Sequence, residues 1–99
     1  MGEYTVAFSH RFDRHLAAIV ADYVGFGPAQ TRNYIEGLLA LCAALESMPY
    51  RYSSVVVKGR TYRRIPYRAH CVYYRVFAAE RRVFVDAVLH GHQDPPRHL

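Results

Sequence analysis

Apolar residues recur along this chain in two rhythms, and the change from one to the other falls near Pro49. Tyr4, Val6 and Phe8 alternate with smaller or polar neighbours, the period of a half-buried strand, and Ser9 follows as a helix N-cap. Phe12, Leu16, Ile19, Val20 and Tyr23 then fall on one face at helical spacing, which predicts a first helix that Gly25 and Gly27 break. Pro28 suits the first turn of a second helix, whose apolar stripe is Thr31, Tyr34, Ile35, Leu38, Leu41, Cys42 and Leu45 and whose stop is Met48-Pro49. Two helices joined by so short a glycine-rich turn form an antiparallel hairpin.

Beyond Pro49 the period is two. Val55 to Val57 form a short strand, followed by strands over 62–66, 71–78 and 83–89, with turns at Gly59, 67–69 and 79–81. In the strand that starts at Cys71, Val72, Tyr74 and Val76 point one way and Cys71, Tyr73, Arg75 and Phe77 the other. Neither face is wholly polar, so many of the tyrosines are expected to face the helices. The order predicts an α+β fold: a strand, an antiparallel helical hairpin, then a three- to four-stranded antiparallel-dominated sheet with the hairpin on one face. With 99 residues and about half of them apolar, the chain is expected to be one domain over 1–99.

Charge sharpens this picture because it is segregated. The first 49 residues hold three arginines against five carboxylates, net −2, whereas residues 50–99 hold ten Lys/Arg against three carboxylates, net +7. A one-sided basic surface attracts a polyanion or an acidic protein segment. The latter could fold on contact and neutralise several arginines at once. Cys42 and Cys71 lie in a helical and a strand pattern without CxxC spacing, which reads as buried thiols in a reducing compartment. No signal-peptide or membrane-length apolar stretch is present, so a cytoplasmic protein with no membrane partner is expected.

The segment VLHGHQDPPRHL, residues 88–99, draws the eye as chemistry. His90 and His92 could share a side, with His70 as a third ligand. Structural zinc wants four ligands, however, and neither finger nor HExxH spacing exists, so neither metal nor cofactor is expected. The simpler reading is a strand end that Gly91 breaks before Asp94-Pro95-Pro96. Metal-independent RNA cleavage needs a proton acceptor, a proton donor and cations. Arg63, Arg64, Arg68, Arg75, Tyr73, His90 and His92 offer too many combinations to single one out. Arginines on phosphates and tyrosines on bases could equally bind nucleic acid.

The strings YTVAFSHRFDRHLAAIVADYV, NYIEGLLALCAALESMPY, YRRIP, CVYYRV and VFVDAVLHGHQDP, in this order over nearly the whole chain, resemble the RelE/ParE superfamily of type II toxin-antitoxin toxins. The resemblance implies a small toxin held inactive by a short acidic antitoxin that wraps the hairpin or the sheet, giving a toxin-antitoxin hetero-oligomer. RelE-like members cut mRNA on the ribosome, with an arginine after the aromatic that opens the penultimate strand, another after the last strand, and often a C-terminal tyrosine. This chain has Cys71 after His70, reads His90-Gly91-His92-Gln93 after the last strand, and has no tyrosine beyond it. A thiol cannot replace a guanidinium fork on phosphate oxygens.

ParE-like members lack that nuclease set and are similar to this chain in the VLHG-x-x-DP ending, although they often carry arginine where His92 stands. Their activity, poisoning of DNA gyrase, requires a surface that favours one gyrase state and no chemistry of the toxin's own. The resemblance therefore implies a ParE-like gyrase inhibitor whose antitoxin- or target-binding residues are Arg63, Arg64, Arg68, Arg75, His90, His92, Gln93 and Asp94. The alternatives are a ribosome-dependent mRNA endonuclease using His92, Arg75 and Arg64, and an inactive basic interaction module.

Overall fold

The first element change is made by one hydroxyl. In the computed structural model, which describes residues 3–99, strand β1 (Thr5–Phe8) runs into helix α1 (His10–Asp22) at Ser9. Ser9 Oγ accepts the Phe12 amide hydrogen at 2.9 Å, a helix N-cap, and donates to the Asp86 carbonyl at 2.6 Å. The cap thus fastens the start of α1 to a strand 77 residues away. After a 3-10 turn (Val24–Phe26), Gly27 takes φ 93°, which a side chain would resist, and Pro28 opens helix α2 (Pro28–Ala43). Thr31 belongs to this turn more than to the apolar stripe: its hydroxyl reaches the carbonyls of Gly27 at 2.9 Å and Tyr23 at 3.1 Å.

Strands β2 (Ser54–Val57), β3 (Arg60–Tyr67), β4 (His70–Phe77) and β5 (Arg82–His90) follow. The single five-stranded sheet has the order β1-β5-β4-β3-β2, with β1 parallel to β5 and the other pairs antiparallel. This is the expected α+β arrangement. The β2–β3 turn places both Lys58 (φ 53°) and Gly59 (φ 75°) in the left-handed region that tight hairpins require. The ladder between β4 and β5 slips between Tyr73 and Tyr74, where Tyr73 faces Ala87 and Tyr74 faces Val85, leaving Asp86 as an unpaired bulge residue.

Both faces of the sheet carry apolar clusters. Toward the helices, Ile65, Val72, Tyr74, Val83, Val85 and Val88 meet Phe12, Ile19, Tyr34, Leu38, Cys42 and Leu45. On the open face a smaller cluster joins Val57, Tyr62, Tyr73, Ala87 and Leu89, with Cys71 and Leu99 against it. The tyrosines therefore divide. Tyr74 points to the helices and donates its buried hydroxyl to the Pro49 carbonyl at 2.7 Å, and Tyr67 donates to the Tyr34 carbonyl at 2.8 Å. Tyr62 and Tyr73 take the open face instead. Beyond β5 the chain does not run free: Pro95–His98 form one helical turn, α3, and Leu99 settles on the second cluster. Among the described residues no helix is long and apolar enough to cross a membrane.

One expectation for α1 fails. Phe12 and Ile19 are buried and Leu16 and Tyr23 half-buried, but Val20 is 43% exposed. The helix rests on β5 along the line through Phe12 and Ile19. Val20, one position further round, is turned to the cleft beside Thr31 and Ile35 of α2. Ile19→Ala is expected to cost about 2–5 kcal/mol of unfolding free energy, and Val20→Ala to stay within about 0.5 kcal/mol. Urea unfolding of the two variants checks this, and equal costs would mean the helix is rotated from the position described.

Candidate functional site

The open sheet face holds two of the expected arginines together. Arg64 on β3 lies opposite Tyr73 on β4, and Arg75 on β4 lies opposite Phe84 on β5. The Arg75 guanidinium sits 4.8 Å from the Phe77 ring centre and 5.8 Å from that of Tyr62. Stacking of this kind shields the aromatic surface while leaving the charge available to solvent. Beside them is a carboxylate that sequence reasoning did not assign. Asp86, the bulge residue, has its Oδ2 3.3 Å from the Tyr62 hydroxyl and 3.6 Å from Nη1 of Arg11. A signal was present: Asp86 is the lone charge inside VFVDAVL.

Other predicted residues are placed elsewhere. Arg63 points to the helix side, where Nη1 donates to the Tyr52 carbonyl at 2.6 Å and the guanidinium lies 5.0 Å from the Tyr50 ring. It anchors the loop before β2 and does not join Arg64 and Arg75. Arg68 stands at the β3–β4 turn in a left-handed conformation, φ 53°, close to the rings of Tyr34 and Tyr67.

The histidines converge at the far end of β5. The His90 and His92 rings stack at 4.7 Å, and His70 meets His90 edge-on at 5.2 Å. The His90 amide donates to Gln93 Oε1 at 2.7 Å and the His92 amide to Nδ1 of His90 at 3.2 Å, closing a compact turn. Asp94 follows as the residue before α3, 3.8 Å from Arg97 in an exposed ion pair. His15, Asp22, His70, His90 and Gln93 share a cavity of about 250 Å³ between α1 and this turn. His15 was joined to it by the fold, because nothing in its spacing relates it to His90, whereas His70, weighed beside His90 and His92 as a third ligand, does pack against His90. Among the described residues no group of three or more His, Cys, Asp or Glu is arranged to hold a metal ion.

Chemically, the open face offers cations for oxyanions and a carboxylate already engaged. The thiols are poor nucleophiles. Burial pushes Cys42 up to about 12 and also raises Cys71, against which the Arg64 charge works. Burial, with Cys71 beside it, likewise raises the Tyr73 phenol.

The sequence of this small basic α+β chain matches the family model described as "ParE toxin of type II toxin-antitoxin system, parDE" over residues 6–95. The chain belongs to that family and is a type II toxin of the RelE/ParE superfamily. Its fold is similar to that of the chromosomal ParDE system from P. aeruginosa, with TM-score 0.74, 14% identity and coverage of 89% of this chain and 96% of that one. It is also similar to the RelBE2 toxin-antitoxin complex from Mycobacterium tuberculosis, with TM-score 0.63, 17% identity and coverage of 89% and 98%. A comparison with curated proteins returns no match.

The histidine end makes stability pH-dependent. Burial holds His70 below the ordinary 6.5, with repulsion from His90 adding to it and Asp22 opposing, and burial likewise depresses His15. Burial disfavours the charged form of both imidazoles in the fold, so the unfolded chain binds their protons first. Their contribution is complete above about pH 6.5 and is lost as pH falls through the depressed folded values. Urea unfolding between pH 7.5 and about 5 is expected to show falling stability, flatter in His70→Gln. Stability that rises on acidification over that range would contradict neutral buried imidazoles.

Proposed function

We propose that this toxin arrests growth by poisoning DNA gyrase and is neutralised by an acidic cognate antitoxin. Membership of the ParE family supports the first part. The observation that carries it over mRNA cleavage is Cys71, which stands where the nuclease pattern needs an arginine. Its thiol is half-buried in the open-face cluster beside Leu89 and is held protonated by burial. Asp86, the carboxylate nearest to Tyr62, is bonded to that tyrosine and paired with Arg11, so it is not a free proton acceptor.

A gyrase poison acts by preferential binding to one enzyme state, and such binding requires a shaped surface. The turn His90-Gly91-His92-Gln93 is the part of this chain that reaches the target, held rigid by its internal hydrogen bonds. Arg64 and Arg75 provide the cationic counterpart to an acidic antitoxin segment, whose carboxylates would pair with the two guanidiniums, that of Arg75 already stacked on aromatic rings. The antitoxin reading is supported by the two structural relatives, which are a ParDE toxin-antitoxin system and a RelBE2 toxin-antitoxin complex.

Purified toxin, free of antitoxin, is expected to inhibit supercoiling by gyrase or to trap cleaved plasmid. Unchanged supercoiling at a large molar excess of toxin sinks the proposal. Cleavage of message that occurs only on translating ribosomes would transfer the assignment to the endonuclease reading.

A further inference from the structure

A cleft at the tip of the helical hairpin belongs to neither surface described above. It has a volume of about 430 Å³ and is lined by Tyr23, Phe26, Gln30, Asn33, Tyr34 and Arg68. Three rings make its wall: Tyr23 lies 5.4 Å from Phe26 and 4.8 Å from Tyr34, at tilted angles of 52° and 43°. The Tyr34 hydroxyl is engaged inward, 2.6 Å from Nδ1 of His70, so the cleft meets its ring and not its polar end.

Phe26 is 64% exposed on the 3-10 turn between the helices, an apolar surface that no core contact explains. Gln30 and Asn33, three positions apart on α2, are exposed and bring amide donors and acceptors to the same cleft. Arg68 completes the lining. Its guanidinium is 5.9 Å from the Tyr34 ring centre, and among the described residues no carboxylate forms an ion pair with it. Its backbone holds the left-handed φ of 53°, an uncommon conformation for arginine.

Exposed aromatic ring faces, an amide pair and an unpaired guanidinium match the three parts of a nucleotide. The base stacks on the rings, its polar edge meets amides, and the phosphate pairs with the guanidinium. An acidic peptide could pair with Arg68 and the amides, but its carboxylate side chains bring no flat ring to cover the aromatic surface. Among the described residues no carboxylate lines the cleft to repel phosphate, and a net charge of +5 favours the approach of an anion. We propose that the hairpin-tip cleft binds one unpaired nucleotide unit, its base against the wall of Tyr23, Phe26 and Tyr34 and its phosphate on Arg68. The binding is independent of which enzyme the toxin inhibits.

The test is titration of ¹⁵N-labelled toxin with adenosine monophosphate and, separately, with a single-stranded DNA of about eight nucleotides, following the amides of Gly25, Gly27, Gln30 and Asn33. Shifts at these positions with the monophosphate alone support the site and assign free nucleotide as its source. Shifts with the strand only support it with an unpaired base of nucleic acid as the source. No cleft shifts with either probe, or shifts confined to Arg64 and Arg75, overturn the proposal. So does equally tight binding of an abasic strand of the same length, or tighter binding at the cleft by a peptide alternating glutamate and phenylalanine. Fluorescence anisotropy is expected to show Phe26→Ala weakening strand binding by about five- to a hundredfold, the range set by loss of one stacked base. Because Phe26 is exposed, that variant keeps the fold. Arg68→Ala is the second, separate probe, and is expected to lower both affinity and its salt dependence.

Discussion

Burial of β5 on both faces is the constraint from which the rest of the molecule follows. Val83, Val85 and Val88 face the helical hairpin, and Ala87 and Leu89 face the second cluster. With β1 on one side and β4 on the other, its backbone groups are paired along both edges. Its parallel partner β1 cannot be reached through a tight turn, because parallel strands require a long crossover. The chain between them accordingly carries the hairpin over one face and lays the antiparallel strands beside β5. The bulge at Asp86 makes double burial compatible with one polar residue. It releases the carboxylate to Tyr62 and Arg11, and presents the carbonyl to Ser9 at the start of α1.

The excess of positive charge in the second half is a property of composition, and the fold disperses it into separate tasks. Arg63 serves the loop before β2, Arg81 pairs with Glu3 at 2.7 Å, and Lys58 reaches the Leu99 carbonyl at 3.2 Å. Arg64 and Arg75 remain on the open face, and Arg68 stands at the hairpin tip. A partner of this toxin therefore meets distinct cationic places, each beside aromatic rings, and not one uniform basic sheet.

The end of β5 shows the same principle for histidine. Two histidines two positions apart read from sequence as a strand end broken at Gly91, and the chain there turns on itself through Gln93 and then returns so that Leu99 packs on the open-face cluster. The His90 turn is built against His70 and near His15, whose imidazoles burial shifts below the ordinary value. The segment is thus a corner whose His90 packs against residues far away in the chain, while Gly91 to Asp94 stay exposed.

What was legible in the sequence was what depends on short range. The Ser9 cap, the break at Gly25 to Gly27, the proline at the head of α2, and the alternation of Val72, Tyr74 and Val76 against Cys71, Tyr73 and Arg75 all arise from local backbone and side-chain preferences. The superfamily was readable for the same reason, since the order of such local signals is what its members share. Tertiary structure alone decided which arginines stand together, because alternation sorts residues onto two faces without saying what covers each face. It decided that Val20 looks outward, that Asp86 is a bulge and that Phe26, Asn33 and Arg68 meet at one cleft. Those outcomes rest on strand register and on helix rotation against β5, both fixed by packing between residues distant in the chain.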